Sequence, residues 1–317
     1  MKNIIFVFLS VILFLCCSSD NDTIIINEPM KIPERSIVLA EQATKSIVII
    51  DADTYQKVWS WDAAKSGVPT ERQIWFSNPS EVKPVYNGKY ILMTASGGAV
   101  ALIRIVDSKL MYYAQAGSNP HSAELLPDGN IVAVSSTDTK LRTFVTDTIK
   151  GFGKFYASYE LPSAHNVVWD KKRNLLYTTQ DRKLYSFTYN NDSKAPQLLD
   201  KTLVMELPNT ESCGHDLFPV QDKDNSLWLT TNENIWQYNL ETKKLEKIYP
   251  FYAVKSVSDS KDGILMLYPT TQWWSDGLIN EKGKKLFTIP GAKIYKGRWM
   301  QDNTFSYPEN HPFKLGK

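Results

Sequence analysis

Cysteine and histidine are both scarce in this chain of 317 residues, which holds three of the first and four of the second. Cys16 and Cys17 fall within the first seventeen positions, so Cys213 alone remains for the body of the protein. A single thiol excludes a disulfide framework, and with no Cys-x-x-Cys pair the metal and redox chemistry of that motif is excluded too. A segment of helical period and convincing length is also missing. The formal charge is only +2, with Lys and Arg scattered. A nucleic-acid binder needs a basic stripe along one surface, and none is present. Aromatic residues, by contrast, make up 12% of the chain against 22% charged residues, a composition able to bury a large core.

The first residues read as a targeting segment. Lys2 supplies positive charge, residues 4–15 form an apolar run of secretory length, and Cys16-Cys17 closes it. Such a run is too short to remain as a spanning helix. Its end resembles the lipobox of bacterial lipoproteins, in which the signal is cut and the new N-terminal cysteine is lipidated. Cys17 is the better candidate, because Cys16 then provides the small residue before the cut. Ser18-Ser19-Asp20-Asn21-Asp22 follows, an acidic tract similar to the surface-export signal of Bacteroidetes-type lipoproteins. The division expected is a signal over 1–16, an anchor linker over 17–34 and one domain over 35–317, placed outside the cytoplasm on the outer membrane and facing the surface.

Within that domain one phrase recurs. Asn119-Pro120-His121 opens a short strand, a Pro127-Asp128-Gly129 turn follows, and an apolar strand runs over 131–134. The phrase returns at His165, before the apolar 174–179, and at His215, before 226–231. Asn78-Pro79-Ser80 repeats the opening with serine in the histidine slot. Counting from each turn places the slots at Ser80, His121, His165, His215, Lys255 and Tyr295, separated by 41, 44, 50, 40 and 40 residues. A period of 40 to 50 with four strands per unit is that of a β-propeller blade, a small twisted sheet that hides its faces only by stacking on its neighbours. Six blades are expected, with seven as the alternative. The first is closed by joining the strand over 294–300 to three N-terminal strands, which removes the open edges.

Equivalent slots on inner strands converge at one mouth of the central channel, so three imidazoles from adjacent blades are expected side by side. Loops opening on the same face add Gln180, Asn232, Gln272, Trp273 and Trp274, and a concave mouth with a few convergent polar groups is where a ligand is sought. The imidazoles of His121, His165 and His215 either hold a divalent ion such as Zn or Mn or simply hydrogen-bond water and carbonyls. Lys255 and Tyr295 either move protons as acid and base or line the channel. Ser80, Gln180, Asn232, Gln272 and the adjacent Trp273 and Trp274 are the expected ligand contacts, with stacking on an exposed indole. Cys213 reads best as a buried thiol, and His311 falls off the repeat.

The lipobox, the opening Ser36-Ile37-Val38-Leu39-Ala40-Glu41-Gln42, Trp59-Ser60-Trp61 and the closing Tyr295-Lys296-Gly297-Arg298-Trp299 together resemble an uncharacterised family of propeller lipoproteins in Bacteroidetes. The channel histidines are more loosely similar to those of oligogalacturonate lyase and other propeller polysaccharide lyases. That second resemblance implies a metal on His121, His165 and His215 polarising a uronate while Lys255 or Tyr295 moves the proton. It covers only those histidines and Gln180, and the arginine cluster that would neutralise a uronate is not evident. The reading is therefore a lipid-anchored propeller that binds a small-molecule or glycan ligand at its mouth and offers its face to a protein partner. A metal-dependent lyase acting on uronic-acid glycans is the alternative.

Overall fold

The computed structural model describes residues 31–212 and 214–308. The signal and lipidation reading at Cys17, the thiol of Cys213 and His311 all lie outside the described residues.

The chain is an all-β propeller. Its first blade joins β1 (Ser36–Glu41), β2 (Ser46–Asp51) and β3 (Lys57–Asp62) to the last strand of the chain. A short helical passage, α1 (Thr70–Gln73), leads out of it. The second blade is β4 (Pro79–Val85), β5 (Tyr90–Ala95), β6 (Ala99–Arg104) and β7 (Lys109–Gln115). In the third, β8 (Pro120–Leu125), β9 (Ile131–Ser135) and β10 (Lys140–Phe144) come first. The chain then adds β11 (Phe152–Gly153) in parallel to β7 before returning as β12 (Phe155–Glu160). The fourth is β13 (Val168–Asp170), β14 (Leu175–Gln180), β15 (Lys183–Tyr189) and β16 (Leu198–Glu206). The fifth is β17 (Asp216–Pro219), β18 (Ser226–Thr230), β19 (Ile235–Asn239) and β20 (Leu245–Tyr249).

The expected count of six or seven blades is corrected here. Five sheets of four or five strands form the propeller, and after them comes a ribbon of only two, β21 (Ser256–Ser260) and β22 (Gly263–Leu267). Beyond β22 the chain makes single bridges, Met266 to Ile279 and Ile279 to Lys285, in place of ladders. Pro269, Gly277, Gly283, Pro290 and Gly291 interrupt that stretch, and each deprives a strand of a donor or of a side chain to pack. Slot counting registers the inner strand of the ribbon through Lys255 but carries no information about outer strands. Closure is as expected, with β23 (Ile294–Trp299) pairing antiparallel to β1.

The alternation of each strand explains the packing. In β1, Val38 and Ala40 point toward the second blade while Ile37 and Leu39 point toward the ribbon, and each gap around the axis is filled by such a wedge. Trp59 and Trp61, Trp169, Trp228 and Trp299 sit in four of these wedges. The last described residues cross the end of the axis remote from the slots. Phe305 packs between the fourth and fifth blades and Tyr307 between the second and third. The Tyr307 hydroxyl there meets the Glu124 carboxylate.

Candidate functional site

The slot residues meet around the axis, and local backbone irregularity is what aims them. Pairing registers shift between Pro79 and Glu81, between Pro120 and Ser122, and across Ala40 and Glu41 where they face Lys296 and Ile294. Ser80, His121 and Tyr295 are therefore the extra residues of three β-bulges, a device that re-aims a side chain. Asn78, Asn119, Ser163 and Ala253, each two residues ahead of a slot, all adopt left-handed φ between 53° and 60°. A sharp turn thus delivers the chain into each of these four inner strands.

His121 and His165 stack with centroids 4.6 Å apart and planes 23° from parallel. His165 and His215 meet edge to face at 5.6 Å. The Tyr295 hydroxyl lies 3.2 Å from His121 Nδ1, and Lys255 Nζ lies 2.9 Å from His215 Nε2. His215 Nε2 is also 2.6 Å from Asn232 Oδ1, and Asn232 Nδ2 in turn donates to Ser212 Oγ. Ser212 is itself tied to Glu233 through both its amide and its hydroxyl. His165 Nδ1 faces the carbonyl of Ser163 at 3.0 Å. Burial lowers the proton affinity of all three imidazoles. The value falls to about 4 for His165, where Lys296 and Lys255 add to burial against the opposing Ser163 bond, and to about 3 for His215, where Lys255 is the next cause. For His121, burial and then His165 and Lys296 push it well below the ordinary range. The mouth therefore presents neutral rings at neutral pH.

The remaining expected contacts divide. Asn232 belongs to the ring through His215. Trp273 is 46% exposed, and its Nε1 donates to Gln42 Oε1 while Gln42 Nε2 donates to the Pro79 carbonyl, which holds the indole beside the mouth. Trp274 lies under the Lys293 ammonium at 5.3 Å. Ser80 is fully buried, with its hydroxyl on the Pro120 carbonyl and Thr94, so it lies under the mouth without lining it. Gln180 turns outward to accept from Lys201 on β16. Gln272 is exposed in the Thr271–Trp274 turn.

The divalent ion expected on the histidines is corrected. Among the described residues no group of three His, Cys, Asp or Glu side chains is arranged to hold a metal. The reason lies in the ring planes. Imidazole lone pairs lie in the plane of the ring, so the stacked His121 and His165 rings hold theirs in separate, near-parallel planes, and the nitrogens named above already face Tyr295, the Ser163 carbonyl and Asn232.

Below the imidazoles lies a charged plug that the slot residues alone do not reveal. One residue beyond the slots come Glu81, Asp216 and Lys296, and three beyond come Lys83, Glu124 and Arg298, all essentially inaccessible. Arg298 binds both Asp216 oxygens at 2.6 and 2.7 Å and reaches Glu81 at 3.1 Å. Lys296 bridges Glu81 and Asp216 at 3.1 Å each, and Lys83 pairs with Glu124 at 3.1 Å. Burial works to raise the Glu81 carboxyl, and Arg298, Lys296 and Lys83 outweigh it and hold the group low. For Glu124 burial prevails over Lys83 and raises it. The same slot arithmetic, carried one and three residues further, marks every member of this plug.

A propeller whose channel is filled by ion pairs, leaving a shallow ring of imidazoles, lysine and phenol at one mouth, is the class this molecule represents. The chain belongs to a family of unknown function (DUF6528), whose model matches residues 1–317. No curated protein matches it. Among solved structures it is similar to a protein of unknown function from Bacteroides caccae, with a TM-score of 0.56 and 14% identity over 85% of this chain and all of that one. It is also similar to a chain of the nidogen/laminin complex, with a TM-score of 0.57 and 10% identity over 84% of this chain and 98% of the other. Identities so low carry the fold alone.

Proposed function

We propose that this protein is a lipid-anchored, extracytoplasmic binding propeller that takes a polar ligand, a carbohydrate, at the histidine mouth. The observation that carries the reading is the convergence of His121, His165, His215, Lys255 and Tyr295, each at or just ahead of the start of a different inner strand, onto one small surface. Rigid strands hold these groups without further ordering cost when a ligand arrives. Trp273, exposed and fixed by Gln42 at the rim, offers the flat apolar face on which a sugar ring stacks. Hydroxyl groups of a saccharide both donate and accept, which suits neutral imidazoles, a phenol and the Asn232 amide equally.

Binding of a panel of immobilised oligosaccharides to the wild type and to Trp273→Ala and His165→Ala tests this. At least one saccharide is expected to bind the wild type and to lose tenfold or more in affinity with each variant. A ligand indifferent to both changes would place binding elsewhere. The anchor is tested separately: Cys17→Ala is expected to leave the membrane fraction and to take up no labelled fatty acid. Among the described residues no helix is long and apolar enough to cross a membrane.

A further inference from the structure

We propose that Glu233 is a positioning residue of the mouth: acting through Ser212 and Asn232, it fixes His215 with its ring hydrogen on Nε2. This rests on the reading of the mouth as the ligand site only for its consequence, which is the kind of group the histidines accept.

Hydrogen-bond polarity carries the assignment. Glu233 sits in the turn between β18 and β19, where Thr231 Oγ1 receives the amides of Glu233 and Asn234 and itself donates to the buried Glu211 carboxylate. Asn234 Nδ2 and Trp236 Nε1 also donate to Glu211, so the turn is held from several sides. From it the Glu233 carboxylate takes two hydrogens from Ser212, the backbone N–H on Oε2 and the hydroxyl on Oε1, each at 2.7 Å. A carboxylate only accepts, so the Ser212 hydroxyl gives its one hydrogen to Glu233 and accepts from the next group. That group is Asn232, which therefore turns Nδ2 toward Ser212 Oγ at 3.0 Å and Oδ1 toward His215 Nε2 at 2.6 Å. The amide oxygen in turn calls for the ring hydrogen on Nε2. The opposite tautomer would suit Lys255 Nζ, 2.9 Å from the same nitrogen, but it would set two acceptors against each other at 2.6 Å. Turning the amide over to avoid that would take the Ser212 hydroxyl away from Glu233.

His165 is fixed the other way. A carbonyl also only accepts, so His165 carries its hydrogen on Nδ1, facing Ser163. The two rings meet edge to face, spend their hydrogens on the protein at opposite nitrogens and hold lone pairs on the others. The pair therefore suits a ligand group that brings its own hydrogen, a hydroxyl or an amide N–H.

Nitrogen-15 shifts and two-bond couplings of the imidazoles at pH 7 report the tautomer of each ring in the full-length protein. His215 is expected to carry its hydrogen on Nε2 in the wild type. In Glu233→Gln the one remaining acceptor goes to the Ser212 backbone N–H, the new NH2 group faces Ser212 Oγ, and the order of donors reverses. The His215 hydrogen is then expected on Nδ1. Ser212→Ala, which cuts the chain, is expected to give a mixture, and Ser212→Thr, which keeps the hydroxyl, the wild-type form. Unmoved His165 signals show that the fold is kept, so a change confined to His215 is one of polarity. A wild-type His215 with its hydrogen on Nδ1, or a tautomer indifferent to both Glu233→Gln and Ser212→Ala, would overturn the inference. On the oligosaccharide panel, the saccharide retained by the wild type is expected to bind about fivefold weaker to Glu233→Gln, the worth of a single hydrogen bond, and to keep its affinity for Ser212→Thr. Undiminished binding to Glu233→Gln would overturn the consequence for the ligand. Expected tautomers with no saccharide bound by the wild type would remove the carbohydrate reading and leave the role of Glu233 standing.

Discussion

The Tyr295 hydroxyl reaches His121 Nδ1 at 3.2 Å although a whole blade, the second, stands between their two strands. What permits it is Ser80, the slot residue of that blade, whose short side chain is folded down onto the Pro120 carbonyl. A larger residue at position 80 would stand between the tyrosine and the imidazole.

Ser80→Phe should therefore separate this pair. Overfilling a packed site costs about 1 to 3 kcal/mol. The expected outcome is a loss of stability in that range in urea melts together with a changed Nδ1 shift of His121 by nitrogen-15 NMR. An unchanged shift would mean that the two rings do not depend on the serine.

Arg298 is the keystone of the plug, since its guanidinium holds both oxygens of Asp216 and reaches both of Glu81. Removing one member of a buried charge cluster leaves the others uncompensated, at about 3 to 5 kcal/mol. Arg298→Met is expected to lose that much by chemical denaturation. Adding Asp216→Asn should then cost less than it does in the wild type, because the charge it removes has already lost its main partner. Strict additivity of the two changes would contradict the coupling.

Acid should loosen the mouth before it loosens the plug. In the unfolded chain histidine binds its proton near pH 6.5, whereas folded His165 and His215 do so only near about 4 and about 3. Between these limits the unfolded state binds more protons, so stability is full above pH 6.5 and declines as pH falls through the window. Asp216, held below its ordinary range against burial by Arg298 and Lys296, adds a further decline below about pH 4. Glu124, raised by burial, works in the opposite sense. Urea melts from pH 7 to pH 4 are expected to show a shallower slope in the His165→Gln, His215→Gln double variant than in the wild type. Parallel curves would count against neutral rings.

Zinc and manganese should find no dedicated site at the mouth. With the His121 and His165 rings stacked, their lone pairs do not aim at a common point. Calorimetric titration of chelator-stripped wild type and His165→Ala is expected to give superimposable isotherms. A saturable, stoichiometric component present only in the wild type would show that the rings turn to accept an ion.

The repeat phrase carries much of this molecule in plain view. Alternating apolar strands of five to seven residues can bury their faces only by stacking sheet on sheet, so the propeller follows from periodicity, and the spacing of His121, His165 and His215 brings them to one mouth because equivalent positions of radial repeats converge. Their relative orientation is a different matter. Whether two imidazoles stack or aim at one point depends on bulges at His121 and Tyr295 and on the smallness of Ser80 across the ring, which are relations between blades and not within any one of them. Blade number is hidden from the repeat spacing for a similar reason. Inner strands mark the phase of a repeat, but a full sheet needs its outer strands to find partners, and after β22 the prolines and glycines leave only isolated bridges. The plug shows the same division. Glu81, Lys83, Glu124, Asp216, Lys296 and Arg298 are individually unremarkable charges in a sequence of near-zero net charge. Only closure of the ring makes them neighbours, because β23 arrives from the far end of the chain to set Lys296 and Arg298 against carboxylates 80 and more residues away.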